Sequence, residues 1–145
     1  MDINLKGTFL CLKYEAAAML EGGHGGAIVN VGSVNSFLGF GGGAAYTASK
    51  HGQIGLTTSA SAELAPQGIR VNIVCPGIID TPMHHRARAI IGVEIYESLL
   101  QVRGQLVRKG LPLEIANSIV WRGSGVACWG TGATLAAGGG VRRSC

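Results

Sequence analysis

The sequence predicts an α/β fold, a parallel sheet with flanking helices, and three observations carry that prediction. Residues 27–31 and 70–75 are short apolar runs rich in Val and Ile, bounded by Gly or Pro, as strands covered on both faces of a parallel sheet are. A helical stretch from about residue 45 to 64 lies between them. Two strands joined through such a crossover lie parallel with a right-handed connection.

Taken in order, residues 4–20 form the first helix. Leu5, Phe9, Leu12, Ala16 and Met19 keep to one face, and three successive alanines from Ala16 add helix propensity. The glycines at 22, 23, 25 and 26 stop it, strand 27–31 follows, and a Gly-rich loop runs through Gly43. Helix 45–64 ends at Pro66-Gln67-Gly68, and strand 70–75 at Pro76-Gly77. Beyond Thr81-Pro82 a polar stretch leads to a helix over 94–108, a shorter helix over 113–120 and a weaker last strand over 133–137. There is no internal repeat and no linker-like segment.

At 145 residues and 47% hydrophobic content the chain can bury one core, so residues 1–145 read as a single domain. The formal charge of +4 comes from scattered Lys and Arg and a basic C-terminus. With no basic stripe and no interleaved aromatics, a nucleic-acid partner is not expected. Cys11, Cys75, Cys128 and Cys145 form no CxxC pair and stand near no His at zinc-finger spacing. They read as small apolar or incidental residues of a reducing compartment. Neither a signal peptide nor a run long enough to cross a bilayer is visible, which predicts a cytoplasmic protein without a membrane partner.

The chemistry concentrates in Tyr46-Thr47-Ala48-Ser49-Lys50 and in Ser33, thirteen residues before Tyr46. On a helix, positions i and i+4 share one face about 6 Å apart, so Tyr46 and Lys50 can enter the same cleft. A cation there favours the phenolate and makes a tyrosine usable as general acid and base near neutral pH. Ser33 follows the carboxyl end of strand 27–31, the edge at which open α/β sheets bind ligands. Its hydroxyl can hold a substrate oxygen there, or serve only its own loop backbone.

The wider sequence resembles the short-chain dehydrogenase/reductase family. Asp2-Ile3-Asn4-Leu5-Lys6-Gly7-Thr8-Phe9 is similar to that family's asparagine-bearing helix, and Ile28-Val29-Asn30-Val31-Gly32-Ser33 to the strand that delivers its serine. The stretch from Tyr46 to Lys50 resembles its active-site motif. Ile69-Arg70-Val71-Asn72 with Pro76-Gly77 resembles the next strand and turn, and the run from Arg108 to Ala116 the turn into the penultimate helix. The likeness extends from Asp2 to about Gly140.

That resemblance implies a partial Rossmann-like parallel sheet with flanking helices, the N-terminal half missing, and an NAD- or NADP-dependent oxidoreductase acting on an alcohol or carbonyl substrate. It implies that Tyr46 exchanges a proton with the substrate oxygen, that Ser33 orients that oxygen, and that Lys50 holds the nicotinamide ribose and favours the phenolate. Asn4 would anchor a water leading to Lys50; without the family context it reads as a helix N-cap. Tyr46, Lys50, Pro76, Gly77, Ile79 and Thr81 would face the cofactor, and the full-length form would be a homo-oligomer.

Other signals carry less. Gly39-Phe40-Gly41-Gly42-Gly43-Ala44 fits a relaxed G-x-G-x-x-A, but no strand ends directly before it, so it reads as a substrate-side loop and not a phosphate cradle. His84-His85-Arg86-Ala87-Arg88 reads as the solvated start of a lid over the substrate. Adjacent histidines point apart on a helix and no carboxylate cluster accompanies them, so no metal site is expected. The family's Gly-rich pyrophosphate turn is absent from the 145 residues, which predicts a fragment; the alternative is a non-catalytic packing or dimerisation module. Arg122, Gly130, Gly138 and the ending Val141-Arg142-Arg143-Ser144-Cys145 depart from the family pattern, a cluster that predicts sequence error or decay.

Overall fold

The computed structural model describes the backbone of residues 1–103 and 105–141, and their side chains apart from those of 99–103. A π-helical turn, Asp2–Lys6, runs into helix α1, Gly7–Gly22. Strand β1 (Gly26–Val31), helix α2 (Ala44–Leu64) and strand β2 (Ile69–Pro76) follow, then helices α3 (Pro82–Ile91), α4 (Val93–Arg103) and α5 (Pro112–Gly123) and strand β3 (Thr134–Ala137). The sheet order among the described residues is β1-β2-β3, all parallel, with Ile28 opposite Val71 and Val74 opposite Leu135.

Helices cover both faces of the sheet. On one face Met19 of α1 and Leu56, Ala60 and Leu64 of α2 pack on Leu12, Ile28, Ile69 and Val71. Val29 points to the opposite face, where a Cβ at Gly123 of α5 would touch it at 3.8 Å. β2, in the middle, is buried from Ile69 to Cys75 apart from Arg70. β1 has helices on both faces, as expected, but is less buried than β2: only Ile28 is buried and Val31 is 45% exposed. It is an edge strand among the described residues, and an edge has neighbours on one side alone.

Helix α2 buries a polar ridge. Ser49, Gln53, Thr57 and Ser61, four residues apart, are all buried. Each has a partner: Asn4 Nδ2 donates to Ser49 Oγ at 3.1 Å, Gln53 Nε2 to Thr8 Oγ1 at 2.6 Å, Asn30 Nδ2 to Thr57 Oγ1 at 2.9 Å, and Ser61 pairs with Thr131 at 2.9 Å. Apart from Gln53 Oε1, which has no partner among the described residues, buried polar groups so paired cost little and fix one packing of the helix.

β2 also organises the chain's end. The Arg70 guanidinium donates to the carbonyls of Arg122, Gly123, Ser124, Ala127 and Gly130 at 3.0–3.3 Å. Asn72, fully buried, donates to Gly130 O at 2.8 Å and accepts from Ala133 N at 3.1 Å. Two of the departures from the family pattern, Arg122 and Gly130, fit one another, a third, Gly138, packs on Val34, and the ending past Val141 lies outside the described residues. Arg122 Nη1 occupies the space that a Cβ at Gly130 would need, and a Cβ at Gly138 would meet Val34 Cγ1 at 2.7 Å.

Two helix boundaries differ from expectation. The polar stretch after Thr81-Pro82 is itself a helix, α3, because Thr81 Oγ1 accepts from His84 N at 3.3 Å and Pro82 occupies the first turn. The helix expected over 94–108 ends at Arg103. Leu106 N instead donates to Gly139 O at 2.8 Å, and Arg108 turns to Glu114. Among the described residues Cys11, Cys75 and Cys128 are free thiols, Cys145 lying outside them. No described helix is long and apolar enough to cross a membrane.

Candidate active site

A cavity of about 510 Å³ opens beside the carboxyl ends of β1 and β2, within the size range of small-molecule sites. Asn4, Ser33, Tyr46, Lys50, Pro76, Gly77, Ile79 and Thr81, the eight residues singled out in the sequence, all line it. They arrive from five places: the π-helical turn, the β1 exit, the first two turns of α2, the β2 exit and the cap of α3.

Tyr46 and Lys50 do share a face, with the ammonium 5.8 Å from the centre of the phenol ring. Tyr46 is 37% exposed, open to a ligand. Lys50 Nζ donates to Val31 O at 3.0 Å, which ties α2 to the end of β1 and leaves further N–H groups free. Burial holds this ammonium below the ordinary lysine range. Burial likewise pushes the Cys75 thiol up, against the pull of Ser36, Ser33 and Lys50, so the sulfur beneath the lysine stays protonated at neutral pH.

Ser33 caps a 3₁₀ turn, Val34–Ser36. Its Oγ accepts from Asn35 N at 3.1 Å, and Ser36 Oγ accepts from Ser33 N at 3.1 Å. The loop-backbone reading of Ser33 therefore holds, and its O–H remains free to donate toward the cavity. Asn4 is no N-cap: no side-chain cap bond forms at that helix start. Its carbonyl accepts from Gly7 N, Thr8 Oγ1 at 2.7 Å and Gln53 Nε2 at 3.1 Å, while its amide donates to Ser49. Ser49 Oγ in turn donates to Tyr46 O at 2.7 Å, so the Asn4 turn is bonded directly to the start of α2.

The lid expected over the substrate from His84 onward does contribute to the wall, whereas the contribution of α5 was missed. Met83, His84 and Tyr96 line the cavity from α3 and α4, and Pro112 and Ile115 from α5. His84 is not solvated but 4% exposed, with Nδ1 2.9 Å from the Tyr96 hydroxyl and the rings edge to face at 4.8 Å. Burial first, then Lys109 and His85, lower its pKa against the pull of Asp80 and Glu97. Burial and Glu97 raise that of Tyr96. The absent carboxylate is also corrected: His85 Nε2 stands 3.3 Å from Asp80 Oδ1. The glycines from 39 to 43 do not line the cavity.

The model of the family described as short chain dehydrogenase matches residues 1–91. The chain belongs to that family. It is 43% identical, over 97% of its length, to the 2,5-dichloro-2,5-cyclohexadiene-1,4-diol dehydrogenase of Sphingobium indicum, of which it covers 55%. Solved structures agree on the fold. Levodione reductase superposes with a TM-score of 0.89 at 34% identity, over 95% of this chain and 54% of that one. A 4-hydroxyisoleucine dehydrogenase complexed with NADH gives 0.86 at 32%, over 99% and 58%. The chain thus spans about half the length of the relatives it matches, and its three parallel strands and flanking helices are the corresponding part of a Rossmann-type sheet.

Proposed function

We propose that the cavity is the catalytic end of an NAD- or NADP-dependent oxidoreductase that moves hydride between the nicotinamide and an alcohol or carbonyl carbon. The observation that carries this reading is the meeting of Asn4, Ser33, Tyr46 and Lys50 on one cavity. Residues 1–145 act as one partial catalytic domain, in the cytoplasm and in a homo-oligomeric full-length form.

A nicotinamide cofactor, when bound, supplies or takes the hydride. The donor set suits it: Lys50 has N–H groups left for ribose hydroxyls, and Pro76, Gly77, Ile79 and Thr81 form a wall from the β2 exit to α3. Tyr46 gives its phenolic proton to a carbonyl oxygen in reduction and recovers it from a hydroxyl in oxidation. Ser33 donates its free O–H to that same oxygen and holds it beside Tyr46. Lys50 stabilises the phenolate through its charge. Asn4, whose turn is bonded to α2 through Ser49 and Gln53, anchors a water toward Lys50.

The 145 residues contain no Gly-rich turn for the pyrophosphate, and such a turn with its helix end provides most fixed phosphate contacts. Without one, affinity falls by on the order of a thousand-fold. Calorimetry of the chain as it stands should therefore show no micromolar NAD(H) or NADP(H) binding. A clean micromolar isotherm from folded protein would refute the fragment reading. An apolar groove lined by Met1, Leu5, Phe9 and Leu56 favours the second reading, a dimerisation module. That reading predicts a stable dimer whose cavity variants change nothing.

A further inference from the structure

At the start of α3 lies a cluster that the reaction above does not use. One ligating atom from each of Asp80, His84 and His85 lies within 4.8 Å of the other two. Thr81 caps the helix between them, and the two imidazoles stand edge to face at 5.2 Å. Adjacent histidines on a straight helix diverge, but here His84 is turned inward against Tyr96 while His85 reaches back over the cap to Asp80.

We propose that Asp80, His84 and His85 form a binding site for a divalent transition-metal cation of the zinc class. His84 is 96% buried by its 4% exposure, and its Nε2 has no hydrogen-bond partner among the described residues. A buried nitrogen left so is costly unless something meets it. His84 Nδ1 and the Tyr96 hydroxyl are 2.9 Å apart, and in the tautomer that donates from Nδ1 the Nε2 presents a lone pair, which is how outer hydrogen bonds orient metal-ligating imidazoles.

Spacing supports the same reading. Ligand atoms about 2.1 Å from a tetrahedral zinc stand about 3.4 Å apart. His85 Nε2 and Asp80 Oδ1 are at 3.3 Å already, and the remaining separations do not exceed 4.8 Å. Two imidazole nitrogens and one carboxylate oxygen suit zinc, cobalt or nickel, and exclude magnesium and calcium, which take oxygen ligands. His85 and Asp80 side chains are 60% and 44% exposed, so the cation can enter from solvent and keep water in its open position.

One group opposes the site. Lys109 Nζ lies 3.7 Å from Asp80 Oδ1 with its side chain 30% exposed, and the ammonium must swing aside for the metal. His84 and Thr81 also line the catalytic cavity. Occupancy would therefore tie α3 to the β2 exit at the cavity wall.

Titration of the 145-residue chain with ZnCl2 by calorimetry, and with CoCl2 by visible absorption, tests this. His84 is buried and its removal endangers folding, so the informative variants are His85→Ala, Asp80→Asn and Lys109→Met. The proposal expects one equivalent of metal, each ligand variant weakened at least about ten-fold, and Lys109→Met tightened several-fold, with circular dichroism unchanged. Equal affinity in the parent and the His85→Ala/Asp80→Asn double variant would overturn it. So would a Lys109→Met variant that binds no tighter, since metal held elsewhere, at Cys11 or Cys128 for example, would not respond to that ammonium.

Discussion

Gly32 joins the sheet to Ser33, and Gly32→Ala measures how closely the cavity floor is packed. An ideal Cβ there would stand 2.8 Å from Cys75 Sγ, 2.8 Å from Ser36 Oγ and 3.0 Å from Ile73 Cδ1. Those contacts are shorter than carbon tolerates, and the three neighbours cannot retreat: Cys75 and Ile73 are fully buried and Ser36 is 2% exposed. Overpacking of this kind costs about 1–3 kcal/mol, and with three rigid neighbours about 2 kcal/mol is expected. Urea denaturation followed by circular dichroism reads the cost. Cys75→Ala removes one of the two nearest atoms, so the Gly32→Ala/Cys75→Ala pair should be more stable than the two single losses summed by about 1 kcal/mol. Strict additivity, or a Gly32→Ala midpoint equal to the parent's, would refute the packing argument.

Three further outcomes follow from the structure. Arg70→Met removes five donor bonds to the carbonyls that close α5 and the turn after it. Because that turn is partly exposed and water replaces some of them, about 3 kcal/mol is expected from urea midpoints, and a loss under about 0.5 kcal/mol would show the clasp to be incidental. Arg108 first, then Leu111 N–H, lower the Glu114 pKa to about 2 from 4.5. A depressed carboxylate stabilises above its unfolded value and loses that contribution as pH falls through the folded one. The stability gap between parent and Glu114→Gln should therefore be open at pH 6 and shrink from pH 4.5 toward 2; a gap independent of pH contradicts the pairing. Lys50→Ala in a form that carries a nucleotide-binding half should weaken both cofactor binding and rate, and a change in rate alone would remove its ribose role.

The order of elements was legible because glycine and proline punctuation and the two apolar runs state it locally. The same local signals gave β1 as a strand but not its degree of burial, since its apolar residues resemble those of β2 although the strand lies at an edge of the described sheet. Burial there depends on what stands beside the strand, which no window of sequence records. Helix α3 was missed although Thr81-Pro82 is a helix-start signal, because the basic, polar residues after it hid the periodicity. Tyr46, Lys50, Ser33 and Asn4 were readable as a set through family spacing. Their connection was not. The bonds from Asn4 to Ser49 and from Gln53 to Thr8 join residues 45 apart in the chain, and the buried His84–Tyr96 pair depends on how α3 folds over α4. Asp80 could have been paired with His85 from the sequence only by knowing that α3 begins between them.

The central claim is that Tyr46 is the proton-exchanging group of a hydride-transfer site. The direct measurement joins the chain to a family nucleotide-binding half and follows nicotinamide absorbance with an alcohol or ketone substrate, for the parent and for Tyr46→Phe. The substitution removes one hydroxyl from a 37% exposed ring and leaves Lys50 bonded to Val31. The account predicts a fall in kcat of on the order of a hundred-fold or more, with cofactor affinity within about two-fold of the parent. A Tyr46→Phe enzyme that turns over within a few-fold of the parent would contradict it.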